Sequence, residues 1–557
     1  MTNKLTFDLA KHVNLLLRVL CALLFLCTDL ALAADRMSEL HEQAKHRQRR
    51  IIYNSDGDDI VLSKLTSVEE FLRQRTEAAI GTQVDSIFYS TSGGTQYHHD
   101  TNVGERWDDT LDAIEDAGET GTKIRHNMRF LRSKGTDSLR ATITRAHEAG
   151  LEIFWSHRIN DTHDSVLEWA WHLSRWKLEH LEYLMGTPED AKTYPQSHPK
   201  YWWSTLDFEK PQVRDYMFRV TEDVCRRYDV DGVEIDYWRY PVFFRPNRDL
   251  MPATEEQLDI LTEFQRSIRQ MAEREGTRRG RPILVAARVP MSVIACRNVG
   301  IDIERWLRED LLDLMILGNG ETWPNLPVEE FVKLGHEYNV PVYPCLKYSG
   351  YGHDDIETWR AAASNAWRTG ADGMYFFNHA PHLDASPQFK ELGDPEKLAP
   401  LDKLFAATDV GTSWPYLQTG KWHLGLAFVL PSSLPTPLEA MGEETVVRLE
   451  IGDDIAGAAK RKILESAVTK VRLSDANLLD AVETRLNGRL LTPTATDTEG
   501  GWLTFNPEPA WYRMGENRVV LRLTKALDVG GTPAQVLAVE TVVKYSPPVI
   551  ARDGKTE

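Results

Sequence analysis

The chain has little cysteine: five in 557 residues, two of which, Cys21 and Cys27, fall in an N-terminal apolar run. The other three, Cys225, Cys296 and Cys345, are too few and too scattered for a disulfide framework or a zinc motif. Basic charge is also in deficit, with 65 Lys and Arg against 83 Asp and Glu and a formal charge of −18. That balance excludes a general nucleic-acid binder, which needs a basic footprint to neutralise phosphates. Beyond residue 33 no apolar run reaches the ~20 residues that a membrane helix needs. No Gly-x-Gly-x-x-Gly follows the first strand-like run, and no calcium loop or zinc spacing is present, so no cofactor or metal is expected. The loop clusters His98-His99-Asp100, His163-Asp164 and His353-Asp354-Asp355 have only scattered ligand character. Internal repeats and low-complexity tracts are missing too.

What is present begins with Lys4, Lys11 and Arg18 ahead of VLCALLFLCTDLALA, which ends in Ala31-Leu32-Ala33. This pattern predicts a signal segment over 1–33, cut after Ala33, and a secreted or periplasmic protein with no membrane span after signal removal. The long basic region and Asp29 leave an uncleaved membrane anchor as the alternative. Residues 34–50, with HEQAKHRQRR at 41–50, read as a solvated lead-in. The apolar fraction of 42% is ample for large cores, and the length predicts two or three domains.

Over 51–405, eight short apolar runs alternate with helical patterns: 51–56, 84–90, 151–157, 230–236, 283–289, 312–318, 341–347 and 371–377. Segments such as DSLRATITRAHEAG between them place apolar residues at three- and four-residue spacing and end in glycine. Eight such repeats predict a closed (β/α)₈ TIM barrel, with an open doubly wound sheet as the alternative. More than 70 residues separate the third and fourth strands, and this insert carries Trp169, Trp171, Trp176, Tyr201, Trp202 and Trp203. The first three rings read as helix packing. Trp202-Trp203 reads as a binding pair, because neighbours point in different directions. From about 405 the texture changes to alternating runs such as ETVVRLEIGDD and NRVVLRLTKA, predicting a jelly-roll-like β-sandwich over 415–547 with a hairpin turn at Leu486-Asn487-Gly488.

The fourth strand, DVDGVEIDYWRYP at 229–241, carries the most chemistry. Alternation puts Val233 and Ile235 toward the helices, Glu234 inside the barrel and Asp236 at the C-terminal rim, with Trp238 above it. A carboxylate under a ring suits sugar chemistry, the acid acting at the glycosidic carbon and the ring stacking on a pyranose. Asp236 is the first catalytic candidate. Glu321 is the preferred second carboxyl group, followed by Asp161, with Asp56 behind. Glu234 reads as a structural group in an ion cluster with Arg288 and Lys347, because a buried carboxylate needs a partner. His157, Asn160, Trp323 and Asn378, at other strand ends, complete the substrate-binding candidates with Asp56, Trp202, Trp203, Trp238, Arg288 and Lys347.

The stretch from Tyr228 to Pro241 resembles the strand-four signature of secreted glycosyl-hydrolase-like TIM-barrel families, many of which end in a β-sandwich. That resemblance implies a glycoside hydrolase acting on a poly- or oligosaccharide and places Asp236 on the family's candidate catalytic aspartate. Tyr237 stands where some relatives carry a second aspartate, and Glu234 and Arg288 depart from the amylase-type pattern. The alternatives are a non-catalytic carbohydrate-binding barrel and a metal-dependent hydrolase or deacetylase.

Overall fold

The computed structural model describes residues 35–112, 114, 117–167, 172–196, 198–318, 328–346, 355–379, 386–407, 434–525 and 534–546. The proposed signal segment, Trp169, Trp171, Glu321, Trp323, Lys347 and His353-Asp354 lie outside them. Eight parallel strands close a barrel in chain order: β1 Ile51–Ser55, β2 Val84–Ser90, β3 Glu152–His157, β4 Gly232–Asp236, β5 Leu284–Val289, β6 Leu314–Leu317, β7 Val342–Leu346 and β8 Met374–Phe376. Each falls inside a run picked out by sequence, so the closed barrel holds and the open sheet does not.

Strand alternation sorts the side chains as expected. Ile153, Trp155, Val233 and Ile235 pack outward in the large core against the helices. Ile52, Phe88, Phe154, Leu284, Ala286, Leu314, Ile316, Tyr343, Cys345 and Tyr375 fill the barrel interior. Gly232 is required at the start of β4, since a Cβ there would sit 2.2 Å from the Phe154 ring. Asp231 ties β4 to β3 at the same end, accepting from the Ile153 N–H at 2.9 Å.

The charged lead-in is not simply solvated. Residues 35–45 are helical, and Arg49 turns into the N-terminal mouth of the barrel, fully buried. Its Nε and Nη2 donate to the two oxygens of Glu152 at 2.7 and 2.8 Å, and its remaining donors reach the carbonyls of Ala44 and Lys45. Ser86 completes Glu152 at 2.6 Å.

The insert between β3 and β4 folds over the C-terminal mouth, anchored by a fully buried pair between Lys177 Nζ and Asp164 at 2.7 Å. Trp176 stacks on Tyr216 at 4.0 Å, the packing role expected of it. The C-terminal region forms two antiparallel sheets around one core. The first runs in the order β9 (Lys403–Ala406), β17 (Gln535–Tyr545), β11 (Leu464–Leu473), β15 (Trp502–Phe505) and β14 (Ala495–Asp497). The second is β10 (Glu444–Ile451), β16 (Gly515–Leu523), β12 (Val482–Leu486) and β13 (Arg489–Leu491). Asn487 and Gly488 take φ of 49° and 83° in the tight turn joining β12 to β13. Lys403–Ala406, expected at the tail of the barrel, pairs with β17 instead.

The two domains are joined by the barrel helix Ile356–Arg368. Its Ala362, Ala363 and Ala366 pack in the barrel core, while Ala361 belongs to the core of the sheets. Its Ser364 hydroxyl donates to Asp453 at 2.5 Å. Asp453 also accepts from Tyr545 at 2.5 Å and pairs with the buried Lys403 ammonium at 3.0 Å. Cys225, Cys296 and Cys345 are buried thiols, joined by no disulfide to one another. Among the described residues no helix is long and apolar enough to cross a membrane.

Candidate active site

Asp236 ends β4 as the sequence predicts, but in a tighter setting, 1% exposed. Its Oδ1 accepts the backbone N–H groups of Trp238 and Arg239 at 3.1 and 3.0 Å. Its Oδ2 accepts from Arg288 Nη1 at 2.8 Å across the β4–β5 register. The Arg288 guanidinium lies over the Phe377 ring at 3.6 Å and donates from Nε to the Gly318 carbonyl at 3.3 Å. Cation, ring and two N–H donors together hold Asp236 in one orientation.

A second group gathers on the loop after β3. Asp161 Oδ1 accepts the His163 N–H at 3.0 Å and meets His163 Nδ1 at 2.6 Å. Arg239 Nη2 donates to His163 Nε2 at 2.8 Å, which assigns the ring proton to Nδ1. Burial alone would raise the Asp161 carboxyl, but the His163 ring and the charges of Arg158 and Arg239 hold it well below the ordinary carboxylate range. Its Oδ2 lies 3.9 Å from Arg158 Nη1 and is buried with no hydrogen-bond partner among the described residues. Arg158 pairs with the part-exposed Asp56 and donates to Asn378 at 2.7 Å. Partial desolvation would raise the Asp56 carboxyl, but the Arg158 and Arg239 charges outweigh it and lower the group. Arg158 and Arg239 each approach the Phe377 ring at 5.9 Å. Three arginines and three aspartates thus surround one aromatic ring at the barrel mouth.

Below them sits Glu234, fully buried. Of the expected ion cluster, Lys347 lies outside the described residues and Arg288 pairs with Asp236, while Glu234 Oε2 is held by the hydroxyls of Ser156 and Tyr375, the latter at 3.0 Å. Oε1 has no hydrogen-bond partner among the described residues. Burial, with the Asp236 charge beside it, pushes the Glu234 carboxyl up to about 7.

Several sequence candidates turn away from the mouth. His157 lies on the outward face of β3, stacked on Trp155 at 4.5 Å, and burial lowers its ring to about 3. Its nitrogens meet Tyr97 OH and Thr221 Oγ1 at 3.2 and 3.0 Å, on the helix side of the strand. Asn160 is consumed by backbone, donating to the Val242 carbonyl at 2.7 Å and accepting from the Leu206 N–H at 3.0 Å. Trp203 packs into the main core and donates to the Ser165 carbonyl at 3.1 Å. Trp202 does point elsewhere, into a small cluster with Tyr201, Val166 and Tyr240. Trp238 is 6% exposed and packs in the main core rather than standing as an open platform. Phe377 and the bridge from Arg239 through His163 to Asp161 were not singled out by sequence, although Phe377 ends a strand beside Asn378 and Arg239 itself reads as a candidate partner of Asp236, which it meets through its backbone N–H.

The loop histidines do not converge. His98 meets Ser138 at 2.7 Å and His99 meets Thr91 at 2.7 Å, and among the described residues no group of three or more His, Cys, Asp or Glu side chains could hold a metal ion.

Fold and site together define a TIM-barrel protein with a carboxylate-bearing C-terminal mouth and an appended antiparallel β-domain. Residues 122–249 match the family described as Glycosyl hydrolase-like 10, a segment that holds β3, β4, Asp161 and Asp236. The resemblance read from strand four is therefore borne out. No curated protein matches the chain in sequence. Among solved structures, the glycoside hydrolase domain of PgaB (BpsB) from Bordetella bronchiseptica is 11% identical, over 62% of this chain and 98% of its own, with a TM-score of 0.38. Chitinase ChiW from a Paenibacillus species is 11% identical over 89% and 54%, with a TM-score of 0.35. The α-galactosidase AgaA from Geobacillus stearothermophilus is 11% identical over 90% and 56%, with a TM-score of 0.34. At these scores the likeness carries no argument about the site.

Proposed function

We propose that the chain is a secreted glycoside hydrolase that cleaves a poly- or oligosaccharide at the C-terminal mouth of its barrel. The observation that carries this reading is Asp236: a carboxyl group accepting from one guanidinium and two N–H donors, inside the segment that matches a glycosyl hydrolase-like family. Asp236 acts on the anomeric carbon, as nucleophile or through a water, and a second carboxyl group protonates the leaving oxygen. Glu321 remains the first choice for that partner; Asp161, second by sequence, is held as a carboxylate by His163, Arg158 and Arg239 and suits a base or acceptor role better than that of proton donor. The open Oδ2 of Asp161 supports a further role as acceptor for a sugar hydroxyl. Arg288 serves Asp236 rather than the substrate directly, and Asn378 steadies Arg158.

The test is a screen of purified protein against polysaccharides and aryl glycosides, repeated with Asp236→Asn. Loss of turnover with retained folding supports the assignment, and full activity in the variant removes Asp236 from the mechanism. N-terminal sequencing of exported protein tests cleavage after Ala33.

A second reading, a non-catalytic carbohydrate-binding barrel, is favoured by the near-complete burial of Asp236. It predicts glycan binding without turnover, unaffected by Asp236→Asn.

A further inference from the structure

The barrel interior beneath the mouth holds two carboxyl groups on one face of β4, Glu234 and Asp236, and among the described residues one cation close enough to pair. That cation, Arg288, bonds Asp236 at 2.8 Å and leaves Glu234 to two hydroxyl groups. Among the described residues the titratable and charged groups facing Glu234 are Asp236 on its own strand, Arg288 on β5 and Tyr375 on β8, while Cys345 on β7 faces Arg288 and Tyr375; Lys347, past the end of β7, lies outside them. β3 contributes only Ser156, and β2, in register with it, brings the buried Ser90 hydroxyl, which has no partner among the described residues. Among the described residues a carboxylate in this place would be uncompensated on one oxygen, Oε1, while a neutral carboxyl group needs no counter-ion.

We propose that Glu234 is a positioning residue for Asp236: held as a neutral acid, it leaves the Arg288 charge to Asp236, so that Asp236 is the single anion of the inner mouth. This rests on the reading of Asp236 as the reacting carboxylate, and it reassigns Glu234 from structural filler to a control on that carboxylate's charge and orientation. When Glu234 loses its proton, two neighbouring anions face the Arg288 guanidinium, and its pairing with Asp236 weakens. The raised setting of Glu234 places that event close to neutral pH.

Glu234→Gln keeps an acceptor for Ser156 and Tyr375 and cannot ionise, so it tests the proposal without opening a cavity. In infrared difference spectra of the full chain, wild type minus Glu234→Gln, a neutral-carboxyl band is expected at pH 6 and its loss at pH 8. Asp59, also buried and pushed up to about 7, cancels in that difference. With aspartate carboxyls labelled and the Asp236 band assigned from Asp236→Asn, that band is expected to shift between pH 6 and pH 8 in wild type and to stay fixed in Glu234→Gln. In turnover, Glu234→Gln is expected to keep wild-type order at pH 6 and to move the alkaline limb of the pH profile up by about one pH unit or more.

Absence of a neutral-carboxyl band at pH 6 overturns the proposal whether or not the protein turns over any glycan. A band without coupling to Asp236, or an unchanged pH profile in the variant, also overturns it and leaves Asp236 as the reacting group. Wild-type activity in Asp236→Asn overturns instead the reading on which it rests.

Discussion

The two mouths of the barrel both hold buried arginine–carboxylate pairs, but they are finished differently. At the N-terminal mouth, Arg49 donates from three nitrogens, and both oxygens of Glu152 are taken, one of them with help from Ser86. At the C-terminal mouth, Asp161 Oδ2, Arg158 Nε, Glu234 Oε1 and Ser90 Oγ are buried without hydrogen-bond partners among the described residues. A closed pair has nothing left to offer a ligand and serves the fold. An open cluster carries a desolvation cost that folding alone does not explain. The difference fits the proposed division, with stability at one end and chemistry at the other, as in barrels generally.

The largest effect expected is on the open side. Asp236→Asn should lower turnover by about 10²–10⁴-fold, measured as kcat on a responsive glycoside, and by leaving Arg288 buried without its anion should also lower the melting temperature in a thermal scan, the protein staying folded at the assay temperature. Arg49→Met tests the closed side: leaving Glu152 buried without its cation should cost about 3–5 kcal/mol of stability in urea unfolding, with specific activity of the folded protein unchanged. A loss of specific activity there would break the division between the two ends.

Glu234 sharpens the contrast through pH. Below the ordinary glutamate range both folded and unfolded chains hold its proton, so it has no effect on stability. Between about 4.5 and about 7 the unfolded chain releases the proton and the folded chain keeps it, so its contribution falls as pH rises. Glu234→Gln lacks that decline and should be the more stable protein at pH 8 by about 3 kcal/mol, the two converging near pH 4. Equal stability at both pH values would mean that Glu234 ionises normally. The smallest effect expected is from Asn160→Ala, about 1–3 kcal/mol of stability from the Val242 and Leu206 backbone bonds it abandons, with glycan affinity unchanged.

The strands were legible because period-two alternation and β-branched runs leave a strong local mark, and all eight barrel strands lie inside the runs that alternation picks out. The same rule places Val233 and Ile235 outward and Glu234 inward. Applied to 151–157 it also puts His157 on the face of Ile153 and Trp155, a signal that was present and outweighed by the position of His157 at a strand exit. What was not legible is pairing across the barrel. Arg49 meets Glu152 from 103 residues away, and Arg288 chooses Asp236 over Glu234 through the β4–β5 register, which no local pattern encodes. Phe377 becomes a platform for three guanidinium groups only once the barrel closes and brings the ends of β3, β4 and β5 across the mouth from that of β8.

The node at Asp453 bears on how this protein is handled at the bench. Ser364 reaches it from a barrel helix, Lys403 from the first strand of the β-domain and Tyr545 from the last. A truncation after residue 400, the usual way to isolate a barrel, would strip Ser364 of its acceptor and uncover Ala361. It would also discard Lys403 and Tyr545 together. The β-domain is not a tethered accessory that can be exchanged for a tag, and expression plasmids should encode the chain through Tyr545.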